Sequence, residues 1–174
     1  FSAIEARVIA WLAGETWVNE VFATTGKIYE ATASQMFGVP IDLIKKGNPE
    51  YALRQKGKVA TLALGYQGGT GSLIAMNALK MGLTEEELPD IVSRWRQSNP
   101  RIVDLWYSIE KAAVAAVQTC QQTSTHGLIF SMESDLVYGQ SFLTVLLPAG
   151  RKLFYPRAYL DMNRFDKLAI HYYT

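Results

Sequence analysis

"RQKGKVATLALGYQGG", Arg54 to Gly69, decides how the chain is read. Taken as one helix, it sets a guanidinium, an ammonium, a leucine and a phenol at Arg54, Lys58, Leu62 and Tyr66, each four residues after the last. Four residues advance a helix by about 400 degrees, so these side chains form one ridge that drifts about 40 degrees per step and spans about 18 Å. A nucleoside triphosphate has roughly that length. Val59, Ala60, Ala63 and Leu64 fall on an adjacent arc and supply the apolar face that docks the helix, with Lys56 interrupting it. Two cations one turn apart near a helix start suit an anionic ligand, because the helix dipole and free N–H groups add to the side-chain charges. Arg grips phosphate oxygens with paired donors, and Lys acts as a compact charge. From spacing alone the ridge reads equally well as a solvated charged face with a rim tyrosine.

Working outward, "IEARVIAWLAGE" reads as an amphipathic helix from Ile4 to about Ala13, stopped by Gly14. A second helix is expected from about Glu15 to Ala23, and a third from Ile28 to Phe37, ended by Gly38 and Pro40. The ridge helix should run from Glu50 to Tyr66, after a loop at "KKGNP". Further on, "SLIAMNALKMG" continues the helical texture, and Thr84 with Glu87 makes a capping-box pattern before the next helix. Pro100, capped by Asn99, opens the longest helix, to about Thr123. After residue 125 the texture changes to "GLIFSM", "SFLTVLLP" and "KLFYPRAYL", strand-like runs with "PAG" as a hairpin turn. The fold class is therefore mainly α with a small antiparallel β-sheet.

The composition fits a globular chain with a real core: 174 residues, 49% apolar, net charge +1. The single Cys120 excludes an internal disulfide framework and a cysteine-rich zinc site, and a reducing cytoplasm is the natural reading. No apolar run reaches the roughly 18 residues that span a bilayer, and no signal-peptide pattern is present. Both ends are apolar, whereas natural termini are usually polar, which suggests a piece of a longer protein.

The company the ridge keeps adds a family resemblance. "FSAIEARVIAWLAGE" resembles the palm motif D-Y-S-Q-I-E-L-R of family A DNA polymerases, the bacterial DNA polymerase I type. "TASQMFGVP" is similar to the segment between their two main motifs, and "RQKGKVATLALGYQGG" to their fingers motif R-x3-K-x3-F-x3-Y-G. "GRKLFYPRAYL" resembles their later G-R-x-R-x-x-P-x-L segment, so the match covers most of the chain. It implies three segments: 1–26 with the palm motif, 27–125 as helical fingers, and 126–174 as a small sheet returning to the palm.

The resemblance also implies roles. Arg54 and Lys58 would bind the triphosphate of the incoming deoxynucleotide, with Leu62, Tyr66, Tyr29 and Ile4 completing its site. Glu5 would be the steric gate against a ribose 2'-hydroxyl, and Arg7 would support the palm site through ionic contacts. Tyr29 stands where the family has a phosphate-contacting histidine. In this family a primer 3'-hydroxyl attacks the α-phosphate between two magnesium ions held by two aspartates. One aspartate would precede Phe1, whose backbone carbonyl would help hold a metal, and the other belongs to a His-Asp-Glu motif missing from this sequence. The implied partners are a deoxynucleoside triphosphate and primer-template DNA, with magnesium as cofactor of the intact enzyme. Missing palm strands would leave an apolar face on which the fragment could dimerise.

This sequence departs from the pattern at Leu62, where the family has Phe or Tyr, at Ala63 in place of Gly, and at Gln67 after the tyrosine. Such drift suits a phage-encoded or otherwise divergent member. A single-subunit phage-type RNA polymerase shares the Arg, Lys and Tyr spacing, but Glu5 argues against a ribonucleotide user. A non-catalytic nucleotide or DNA-binding module is the third class. Without the motif around it, Glu5 reads as an ordinary helix-surface ion-pair partner. Arg94, Arg96 and Arg101 read as a solvated face around a buried Trp95, ahead of a DNA-contacting role. Phe154, Tyr155, Tyr159 and Tyr172 are expected in the core of the small sheet.

Overall fold

The computed structural model describes residues 3–174, which divide into two compact units that meet between Trp106 and Tyr107. The sequence suggested three segments with different bounds. The expected architecture is observed: a helical body, then antiparallel strands.

In the first unit, α1 (Ile4–Ala13) ends where Gly14 turns left-handed, with φ 74°, and α2 (Thr16–Thr24) follows. Ala10 and Val18 pack with Ile28 of α3 (Ile28–Phe37). A 3-10 turn, Pro49–Ala52, runs into α4 (Leu53–Ala63), and α3 and α4 form the tightest helix pair. Gly57 makes their approach possible, since a Cβ there would stand 2.2 Å from the Tyr29 carbonyl oxygen. Val59, Ala60, Ala63 and Leu64 are buried, as the adjacent arc required. Lys56, the interruption in that arc, reaches out to Glu87 at 2.6 Å and passes the Phe37 ring.

The ridge helix is shorter than its pattern suggested. It stops at Ala63, and Tyr66 stands beyond it in a turn, not on the helix. Beyond it the chain is rich in glycine, the carbonyls of Gly65 and Gly68 accept from side chains of other helices, and Gln67 is left-handed at φ 61°. Next come the short α5 (Thr70–Ala75) and α6 (Leu88–Ser98), the latter entered through the expected capping box of Thr84 and Glu87. Leu88, Ile91 and Trp95 are its buried stripe.

α7 (Pro100–Thr119) departs from expectation at both ends. Its Arg101 N–H is capped by the buried Glu15 carboxylate at 2.9 Å, while the Asn99 side chain donates back to the Trp95 carbonyl. An acceptor 86 residues away in sequence thus does the work assigned to Asn99. The helix ends at Thr119 rather than Thr123, because Cys120 turns left-handed and Thr123–Thr125 pairs as a strand.

The second unit holds an antiparallel sheet of β1 (Thr123–Thr125), β2 (Leu128–Ser134), β3 (Ser141–Leu146) and β4 (Lys152–Pro156), in that order. Its β3–β4 turn is the predicted "PAG", with Gly150 at φ 82°. Leu128, Phe130, Leu143 and Val145 form its buried face, with Phe130 opposite Val145. A separate pair, β5 (Tyr159–Met162) and β6 (Leu168–His171), follows. Phe154, Tyr159 and Tyr172 do not form a core: they are 56%, 45% and 48% exposed. They pack edge-on or stacked along the strands, Phe154 on Phe142, Tyr172 on Tyr155 and Tyr159 on His171.

Candidate functional site

α1 and the end of α4 enclose a cleft of about 370 Å³, within the range of small-molecule sites. Glu5 reaches it from α1, Leu62 from the last turn of α4, and Tyr66 from the turn beyond. These three sequence candidates therefore meet in one place although Glu5 lies more than fifty residues before Leu62. Ile9, Thr61 and Met76 also line the cleft and had no signal in the sequence. Met76 follows directly on α5, and only the tertiary fold turns it toward α1. Leu62 is 45% exposed and Tyr66 70%, so both are open to solvent instead of filling the core. Partial burial pushes the Tyr66 phenol above its ordinary pKa, and the Glu5 carboxylate adds to the shift.

The two cations are placed differently. Arg54 lies at the start of α4, where its Nε donates to Oε1 of Glu30 at 2.7 Å and its guanidinium stands over the Tyr29 ring at 5.3 Å. The Glu30 hydrogen bond raises the Arg54 pKa, so its charge is permanent. Lys58, half-buried one turn later, has no ion-pair partner among the described residues. The helix start offers less than expected, because the Leu53 N–H is already bonded to the preceding 3-10 turn. Anion binding there falls to side chains.

At that end of α4 a second cleft of about 470 Å³ is lined by Lys27, Lys45 and Lys46 together with Glu30, Asp42 and Tyr51. Cationic groups thus cluster around the first turns of α4, and an apolar and phenolic wall stands at its last.

Ile4 is 52% exposed on α1 and Arg7 lies 4.4 Å from the Phe22 ring centroid; neither lines the cleft. Phe1, assigned a metal-binding carbonyl, lies outside the described residues. Among those residues no three His, Cys, Asp or Glu side chains come together as metal ligands. Arg94 pairs with Asp90, while Arg96 turns inward onto the Gly68 carbonyl. No described helix is long and apolar enough to cross a membrane.

Arg54 and Lys58 stand on the first turns of α4, and a carboxylate, a leucine and a phenol line the cleft at its end, which neither cation lines. No family model matches the chain. It is 56% identical, over 99% of its length, to a protein of Bacillus phage SP02 named DNA polymerase. The chain spans 26% of that protein's length.

Proposed function

We propose that this chain is the nucleotide-capturing part of a DNA polymerase of the family A type, made of the fingers and part of the palm. The observation that carries the reading is the meeting of Glu5 with Leu62 and Tyr66 in one cleft, at the end of the helix that bears Arg54 and Lys58. The similarity to a phage protein named DNA polymerase supports it.

In this reading the triphosphate lies along α4. Lys58 takes phosphate oxygens directly, and Arg54 does so as it exchanges Glu30 for the ligand. Leu62 and Tyr66 flank the sugar and base, with an aliphatic contact where an aromatic one is usual. Glu5 fills the space that a 2'-hydroxyl would need. Primer-template DNA is the macromolecular partner, and the work is done in the cytoplasm of a bacterium or phage-infected host. Magnesium belongs to the intact protein. Its two binding aspartates are assigned outside this chain, so the fragment binds nucleotide without extending a primer.

The test is Lys58→Ala in the full-length parent. A charge-assisted hydrogen bond to phosphate contributes about 1.5–3 kcal/mol, so the Michaelis constant for deoxynucleotide should rise by about ten- to a hundredfold. An unchanged Michaelis constant and rate refute the assignment.

A further inference from the structure

Tyr66 stands in a segment, Gly65 to Gly69, in which three of five residues are glycine. Left to itself such a segment samples many backbone conformations. In this fold it does not have that freedom, because side chains of two other helices take the carbonyls on both sides of the tyrosine. Trp106 Nε1, from α7, donates to the Gly65 carbonyl at 2.8 Å. Arg96 Nη2, from α6, donates to the Gly68 carbonyl at 3.2 Å.

The two donors support each other. Trp106 stacks on Trp95 with ring centroids 5.9 Å apart and planes 12° from parallel, and the Arg96 guanidinium lies 5.8 Å from the Trp106 ring centroid. Trp95 and Trp106 are both buried. On the opposite side the turn is pressed against the end of α4, where a Cβ on Gly68 would stand 2.2 Å from the Ala63 carbonyl oxygen. Only glycine fits there, and Gln67 accepts a left-handed φ of 61° to close the turn.

We propose that Arg96 and Trp106 are positioning residues that fix Tyr66 across the cleft from Glu5 by holding the two carbonyls that flank it. Neither side chain lines the cleft. Both act through the turn, and a carbonyl deprived of its donor lets the glycine-rich segment rearrange. The consequence for ligand binding rests on the nucleotide reading of the cleft; the placement of the phenol does not.

The experiment installs 3-fluorotyrosine at position 66 alone and follows its fluorine resonance in the chain and in four variants. Trp106→Phe keeps the ring stack and removes the N–H. Arg96→Met removes the other donor, Arg96→Lys retains one, and Glu5→Gln removes the charge facing the phenol. Glu5 is the one ionisable side chain besides Tyr66 lining the cleft among the described residues.

The unmodified background should give one narrow line. Trp106→Phe and Arg96→Met should broaden or split it and move the phenol's titration toward that of free 3-fluorotyrosine, whereas Arg96→Lys should keep it narrow. Glu5→Gln should move the titration without broadening. Narrow, unshifted lines in both Trp106→Phe and Arg96→Met overturn the proposal. Should Trp106→Phe prove unfolded by circular dichroism, the contrast between Arg96→Met and Arg96→Lys decides.

Deoxynucleoside triphosphate titrated into the same samples should bind about tenfold more weakly to Trp106→Phe and Arg96→Met, the equivalent of one hydrogen bond. If the triphosphate does not bind even the unmodified chain, the nucleotide reading fails while the fluorine lines still decide the positioning.

Discussion

Nε of Arg54 is bonded to Oε1 of Glu30 at 2.7 Å, which makes the first cation of the ridge a tie between α4 and α3. Lys58, one turn on, has no such tie among the described residues. A triphosphate arriving along α4 would find Lys58 free at once and would have to draw Arg54 from its carboxylate. The two cations of one sequence pattern are thus physically unequal.

Replacing Glu30 by Gln should therefore have two opposite effects. The helix pair should lose on the order of 1 kcal/mol, the upper end for a partly exposed ion pair, while triphosphate affinity rises severalfold because Arg54 is released. Chemical denaturation and nucleotide titration of the Glu30→Gln chain check both. Weaker nucleotide binding would mean that Glu30 is needed to aim the guanidinium.

Gly57→Ala should destabilise the fold even though alanine favours a helix by about 1 kcal/mol. Its Cβ would meet backbone, the Tyr29 carbonyl oxygen at 2.2 Å and the Ala33 nitrogen at 2.9 Å, and neither can move without parting α3 from α4. A net loss of about 2–3 kcal/mol is expected, read as a lower denaturation midpoint. Equal or greater stability would show that the helices are not in close contact at this point.

Glu87 ties α4 to the start of α6: Lys56 donates to Oε1 at 2.6 Å and the Thr84 N–H to Oε2 at 2.8 Å. The Lys56 hydrogen bond, then the Thr84 N–H, hold the carboxyl at about 2, below its ordinary 4.5. A carboxyl with a depressed folded pKa stabilises the fold above the unfolded value and loses that contribution as pH falls through the folded value. Stability should thus decline from pH 4.5 to about 2, and Glu87→Gln should flatten that decline. Identical pH profiles for the two proteins would remove the tie.

Glu5→Ala in the full-length parent separates the polymerase classes. With the carboxylate gone from the cleft beside Tyr66, ribonucleotide acceptance should rise by about ten- to a hundredfold. Single-nucleotide insertion with matched ribo- and deoxyribonucleotides measures it. An enzyme that already prefers ribonucleotides with Glu5 in place would point to the RNA polymerase reading.

The local features of this protein were legible in its sequence. Gly14 and Gly38 end α1 and α3 where their left-handed conformations require glycine, Thr84 and Glu87 form the capping box, and "PAG" turns the β3–β4 hairpin. Each depends on residues a few positions apart, where backbone geometry and side-chain chemistry suffice. The buried arc of α4 was legible for the same reason.

What the tertiary structure alone decided are relations between distant residues. Glu15 caps α7 in place of Asn99, Arg54 is claimed by Glu30, and Trp106 and Arg96 hold carbonyls of the turn that carries Tyr66. Helical periodicity says which face a side chain occupies and nothing about which donor from another helix will arrive there. The exposure of Phe154 and Tyr159 has the same origin, since an apolar run specifies a strand but not whether anything covers both of its faces. The four-residue spacing set Arg54, Lys58 and Leu62 along α4; the tertiary fold brought Glu5 of α1 and Tyr66 to a cleft at its end.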